Sequence, residues 1–273
     1  MLLYTFYIMV YKCLRYRVGV VTENLRNSFP DRPMAEIKRI RRSFYHNLSE
    51  IFISTVSQAA MSDDDCRRRV RVKNLDEVLS DLRGRDALLS TAHFGCWEYD
   101  SFLALYTGEH YLAAVYHPLE NKVIDAVYMR LRRRRNIRLI PMKEIIRYYI
   151  DHRLPAGAPG QRIGIGLIAD QNPPLRPNSH WFRFLNQDTV FFDGIEKMAL
   201  KFHMPVYFCR QRRLRRGYYE LEFLRLYDGV EQVAPNEVTE RYVRQLESDI
   251  VADPGMWLWS HRRWKHRRPQ CPS

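Results

Sequence analysis

Apolar residues recur at helical spacing between Pro33 and Met61, at Ile37, Ile40, Phe44, Leu48, Ile51 and Phe52. A 3.6-residue period gathers them on one stripe and predicts an amphipathic helix. Pro33 suits its first turn, where a missing N–H costs nothing. The charged run 63–69 breaks this pattern. From Ala87 the period changes. Residues 87–92, 111–116, 137–140, 163–169, 206–209 and 219–226 are short apolar runs that read as buried strands. Helical patterns lie between them at 98–106, 122–135, 143–152, 194–202 and 237–252. Strands alternating with helices predict an α/β domain with a central, mostly parallel or mixed sheet flanked by helices. Residues 154–160, rich in Pro, Gly and Ala, read as a surface connection. No repeat or linker divides the chain. It reads as an N-terminal helical segment, 1–32, followed by one main domain, 33–273.

Composition agrees with a folded domain. Of 273 residues, 46% are hydrophobic and 27% charged, which excludes a disordered tail, a collagen or a low-complexity linker. A chain this long can bury roughly 70–75% of its unfolded surface and needs no staples. The five cysteines are scattered and form no CxxC pair, so neither a zinc site nor a disulfide scaffold is indicated, and a reducing, cytoplasmic environment fits. Lys and Arg outnumber Asp and Glu by 44 to 31, a net charge of +13. That excess favours nucleic acid, an anionic membrane surface, or an acidic or phosphorylated partner.

The first residues narrow the choice. Residues 2–10 are almost all apolar, with Lys12, Arg15 and Arg17 just behind. A spanning helix needs about 20 apolar residues, and the run lacks the flanks of a signal peptide. Tyr-rich apolar sequence bordered by cations suits an interfacial helix. A core helix, or part of a longer membrane segment, fits the same residues.

The chemistry concentrates in Thr91-Ala-His-Phe-Gly-Cys-Trp-Glu-Tyr-Asp100. His93 follows an apolar strand, Gly95 allows a sharp turn, and Glu98 opens the next helix. Ligands of open α/β sheets bind at the carboxyl ends of strands. A carboxylate that accepts from one imidazole nitrogen fixes the tautomer and frees the other to take a proton from a hydroxyl. Five residues on one helix lie about 140° apart, so His93 and Glu98 pair only with His93 in the loop. As a bare pattern His-x4-Glu is weak, and a satisfied core or surface histidine is the bland reading. Cys96 raises a rival, a Cys/His acyl-enzyme, against the simpler role of a small buried residue. Gly164-Ile-Gly-Leu-Ile-Ala169 imitates a dinucleotide motif, but its glycines fall inside a strand. Asn47-Leu-Ser49 fits a glycosylation acceptor inside a predicted helix and carries no weight.

Here the chain resembles the lipid A biosynthesis acyltransferases, bacterial lauroyl and myristoyl transferases related to the glycerolipid acyltransferases. His93-Phe-Gly-Cys-Trp-Glu98 is similar to their His-x4-Asp/Glu motif. Four further blocks follow the family in order: Asn24-Leu-Arg-Asn-Ser-Phe-Pro30; Tyr116-His-Pro-Leu-Glu-Asn121 with Asp125 and Arg132; Asp170-Gln171; and Pro254-Gly-Met-Trp-Leu-Trp-Ser-His-Arg-Arg-Trp-Lys265. The departures are a shorter N-terminal hydrophobic run, Phe191-Phe-Asp-Gly194 in place of Phe-Phe-Gly, and Ser260 where Leu is usual.

The resemblance implies a glycerolipid-acyltransferase-like fold over 33–273 and a membrane-proximal segment over 1–32. It implies transfer of an acyl chain from an acyl carrier protein thioester, or less readily a CoA thioester, to a hydroxyl of a lipid A precursor, with no metal and no cofactor. His93 is then the general base and Glu98 its orienting acid. Arg132 and its neighbour Arg134 would hold a sugar phosphate or the developing oxyanion. Asp170 and Gln171, at the end of the fourth strand, can position His93 or the acceptor; a turn cap is the bland alternative. The implied location is the cytoplasmic face of the bacterial inner membrane, with an anionic membrane surface and acyl carrier protein as partners. Two other readings compete. One is an acyltransferase for a glycerolipid or amino-acid lipid. The other is a nucleic-acid-binding module, suggested by the His261–Arg268 tail but lacking any recognised signature; no nucleic-acid partner is expected.

Overall fold

The computed structural model describes residues 2–108, 110–116, 137–155 and 157–269. In chain order the strands are β1 (Val70–Val72), β2 (Ala87–Thr91), β3 (His110–Tyr116), β4 (Arg138–Pro141), β5 (Arg162–Ile168), β6 (Trp181–Phe184), β7 (Gln187–Val190), β8 (Val206–Arg215) and β9 (Tyr218–Tyr227). Seven form one sheet in the order β1-β9-β8-β2-β5-β3-β4, and β6 and β7 form a separate hairpin. Every neighbouring pair in the large sheet is parallel except β8 and β9. The helices are α1 (Leu2–Tyr7), α2 (Val18–Ser28), α3 (Met34–Ser57), α4 (Asp63–Arg69), α5 (Leu75–Asp81), α6 (Ile145–His152), α7 (Gly194–Phe202) and α8 (Glu237–Ala252). The expected single α/β domain, with helices flanking a mostly parallel sheet and an N-terminal helical segment, is present. The helix expected at 122–135, with Arg132 and Arg134, lies outside the described residues.

The central strands read as unbroken apolar runs because they are covered on both faces, as parallel strands usually are. Ala87, Leu88, Ile163 and Ile165 are fully buried. β8 runs six residues further than its apolar run predicts. Its outer half is polar and is held by β9, where Arg210 opposes Glu222 and Arg212 opposes Glu220. Two elements that the hydrophobic pattern missed are short. β1 has only three residues. The β6–β7 hairpin turns through Leu185 and Asn186, both at positive φ, +48° and +62°; two left-handed turn residues match the twist of a two-residue hairpin. The segment after His93 is a 3-10 helix, Trp97–Leu105, rather than an α-helix. Tyr99 and Phe102 stack at 4.5 Å and are both fully buried, and residues three apart eclipse in a 3-10 helix.

The N-terminal run is packed into the core on one face and exposed on the other. Tyr7, Val10 and Tyr11 are buried in the main core, with the Tyr7 ring stacked 3.9 Å from that of His46 on α3. Leu2, Tyr4, Met9 and Leu14 remain exposed. Among the described residues, no helix is long and apolar enough to cross a membrane.

A candidate active site on the carboxyl edge of the sheet

β2 and β5 are direct neighbours and parallel, with Thr91 opposite Ile168. The chain therefore leaves both strands at the same edge. His93 follows one strand and Asp170 the other, and adjacency of the strands brings together residues 77 apart. The His93 Nδ1 lies 2.7 Å from Asp170 Oδ1. The His93 backbone N–H donates to Asp170 Oδ2 at 3.0 Å, and Trp257 Nε1–H donates to the same oxygen at 2.8 Å. Asp170 is almost fully buried, whereas the His93 ring keeps a solvent-facing part.

Burial alone would raise the Asp170 carboxyl. His93, Trp257 and the His93 amide outweigh it and hold the acid below its ordinary value. Three donors on a buried carboxylate favour the charged form. Asp170 therefore accepts the proton on Nδ1, and Nε2 is left with the lone pair. The side-chain nitrogen of Gln171 stands 3.2 Å from Nε2, where an incoming hydroxyl would sit. The edge of Trp97 faces the imidazole at 5.1 Å between ring centres.

This corrects the expected pairing. The carboxylate on Nδ1 is Asp170, not Glu98. Gly95, at φ +64°, turns the chain so that the ring reaches across to β5. Glu98 lies further on, in the first turn of the 3-10 helix, buried in the wall of an apolar cavity. Asp170 and Gln171 both lie against the His93 ring. Cys96 is fully buried, and burial pushes its thiol well above the ordinary range. A thiol so held supplies little thiolate, which argues against the acyl-enzyme.

Several supporting residues were not singled out from the sequence. Gln211 on β8 grips the turn: its Oε1 accepts from the Cys96 N–H at 2.5 Å and its Nε2 donates to Asp100 Oδ1 at 3.1 Å. The C-terminal block is a strap across the site. The Gly95 N–H donates to the Met256 carbonyl at 3.0 Å. Arg263, buried, donates to Asn172 Oδ1 and to the Val190 carbonyl, and burial lowers its pKa to about 10. The strap is in turn clamped by α2. Asn24 Nδ2 donates to the carbonyls of Trp259 and His261, both at 2.9 Å, and Arg17 donates to that of Ser260. The first and last sequence blocks are thus in contact. Ser260 takes part through its backbone, and nothing in the structure explains its side chain.

A model of the bacterial lipid A biosynthesis acyltransferases matches residues 5–266. The chain belongs to that family. It is accordingly an acyltransferase of lipid A synthesis. No curated protein shows significant similarity to the chain.

In this acyltransferase a cavity of about 120 Å³ lies between the sheet and the 3-10 helix, with Thr91 and Trp97 in its wall. Leu89, Gly166, Ala114 and Leu139 sit opposite one another across four strands and share one face. Gly166 and Ala114 leave a trough where larger residues would fill the space. The glycines of the false dinucleotide motif thus shape this face. Asp100, at the cavity wall, accepts from Thr91 Oγ1 at 2.8 Å as well as from Gln211. Burial pushes its pKa up to about 7 despite both hydrogen bonds. A raised acid favours the folded state below its ordinary pKa, and that contribution is lost as pH rises through about 7. Asp100→Asn, neutral throughout, is expected to melt higher than wild type at pH 8. The gap should close as pH falls from about 7 toward about 4. Melting curves at four or five pH values test this, and a pH-independent gap contradicts it.

Proposed function

We propose that the chain transfers an acyl group from an acyl carrier protein thioester to a hydroxyl of a lipid A precursor, with His93 as general base and Asp170 as its orienting acid. The observation that carries this is the Nδ1–Asp170 hydrogen bond at 2.7 Å, which leaves Nε2 free to accept. The hydroxyl displaces the Gln171 amide from Nε2. As its oxygen attacks the thioester carbonyl, its proton passes to Nε2. The C–O bond forms, the C–S bond of the tetrahedral intermediate breaks, and the imidazolium returns the proton to the departing thiolate. Base assistance is needed because the hydroxyl does not ionise near neutrality. No acyl-enzyme is required. Glu98 lines the cavity wall, and the roles of Arg132 and Arg134 stand as the family resemblance gives them.

The cavity is the natural place for the donor's acyl chain, being lined mostly by apolar side chains and bordered by Trp97, whose ring packs against His93. Filling the trough should shorten the preferred donor. Gly166→Leu is expected to shift selectivity toward shorter acyl chains by at least one two-carbon step. Each methylene that loses its place forfeits about 0.8 kcal/mol. A panel of acyl carrier protein thioesters with one lipid A precursor reads this directly and tests the donor as well. Unchanged chain preference in an active variant places the acyl chain elsewhere.

Attachment to the cytoplasmic face of the inner membrane is part of the same reading. Leu2, Tyr4, Leu14 and Tyr16 are exposed beside Lys12, Arg15 and Arg17. Apolar and aromatic groups flanked by cations suit an anionic interface.

A further inference from the structure

The C-terminal strap has a second side. Away from Asp170 it borders a polar basin of about 920 Å³, bounded by α2, the start of β7 and residues 262–269. Arg262, Lys265, Arg267 and Arg268 stand around it, all exposed. Several cations elsewhere on the molecule are paired. Arg71 and Arg212 share Glu220, Lys73 meets Glu222, and Arg241 bridges Glu231 and Glu237. The four basin cations form no ion pair with any described carboxylate, although Glu23 and Asp188 line the same hollow.

Four gathered cations repel one another unless an anion is present. A guanidinium fork or an ammonium is well matched to a phosphate. The other linings, Asn27, Gln187 and the two carboxylates, suit the hydroxyls of a sugar. A hollow of this size falls in the range of small-ligand sites, whereas a docking face for a folded protein is broader and flatter. The basin also adjoins the chemistry. Asn172 follows Gln171 and donates to the Arg262 carbonyl at 2.7 Å.

We propose that this basin holds the phosphorylated sugar headgroup of the lipid acceptor. The tail cations take a phosphate, and the acyl-chain hydroxyl reaches His93 along the strap. The inference rests on the acyl-transfer reading above.

The test is the double variant Arg267→Gln/Arg268→Gln, whose side chains make no hydrogen bond or ion pair with the described residues. Rates are measured with a bisphosphorylated lipid A precursor and with its monophosphorylated counterpart, in the same detergent micelles. Removing the cations should raise the KM for the bisphosphate about tenfold, the effect of losing one charge-assisted hydrogen-bonded contact. The KM for the thioester should stay, and kcat should move far less than KM. The variant should no longer distinguish the two acceptors as the wild type does. Equal KM values in variant and wild type overturn the proposal. A rise confined to the thioester KM also overturns it, and gives the surface to the acidic carrier protein. A second arm needs no turnover. Retention of the protein on micelles of either acceptor, or of phosphatidylglycerol, is compared without thioester. Loss of retention only on the bisphosphate supports the headgroup site, and equal loss on phosphatidylglycerol overturns it. If the wild type transfers nothing, the catalytic reading fails, while this arm still decides the basin.

Discussion

Asp170→Asn is expected to lower kcat by about 10²–10⁴-fold while the protein stays folded. The asparagine oxygen can still accept from Trp257 and from the His93 amide. Its nitrogen then faces Nδ1 and donates where the carboxylate accepted. The imidazole must keep its lone pair on Nδ1 and its proton on Nε2, the wrong tautomer for taking a proton from the acceptor. The carboxylate's charge, which stabilises the imidazolium as it forms, is lost as well. Steady-state rates at saturating thioester and acceptor read the effect, and circular dichroism checks the fold. Wild-type kcat in Asp170→Asn, with collapse in Glu98→Gln, would return the orienting role to the motif's own acid.

Gly95→Ala is expected to cost on the order of 3–5 kcal/mol of stability and to disable catalysis. Backbone strain at φ +64° supplies about 1–2 kcal/mol of that. The rest comes from collision. A Cβ at this position would lie 2.0 Å from Gln211 Oε1 and 3.2 Å from the Met256 methyl. The Gln211 amide cannot retreat freely, since it is held by the Cys96 N–H and Asp100. Displacing it leaves buried polar groups unpaired. His93 is two residues away, and a shift of about 1 Å at a reacting group can cost about 10²-fold in rate. Gly84→Ala is the control. It has a similar φ, +70°, with nothing within 4 Å of its Cβ, so it should lose only the backbone part. Denaturant melts of the two variants compare them, and equal losses would show that the Gln211 contact carries nothing.

The fold was legible where residues are buried on both faces. The apolar runs at Ala87, Ile163 and Val206 mark strands, and the stripe through Ile37, Phe44 and Ile51 marks α3. It was not legible where a strand is three residues long or where polar side chains pair across an edge, as Arg212 does with Glu220. The site was half legible. His93 announced itself by standing between a strand and a glycine turn. Asp170 was named only through the family resemblance, with its role left open, because the order of strands in a sheet is not written in any local pattern. Only adjacency of β2 and β5 decides that Asp170, 77 residues away, reaches the ring before Glu98, five residues away. Trp257, Gln211 and Asn24 were hidden for the same reason. Their hydrogen bonds span 87, 111–115 and 235–237 residues, to atoms that no spacing rule singles out.

The most direct test of the central claim is a single-turnover reaction of wild type and His93→Ala with an acyl carrier protein thioester and a lipid A precursor, followed by mass spectrometry of both lipid and protein. Wild type should add one acyl chain to the lipid, and the protein should never carry it. His93→Ala should add none over the same interval. Transfer by His93→Ala at the wild-type rate, or an acyl group accumulating on Cys96, would contradict a histidine base acting directly on the acceptor.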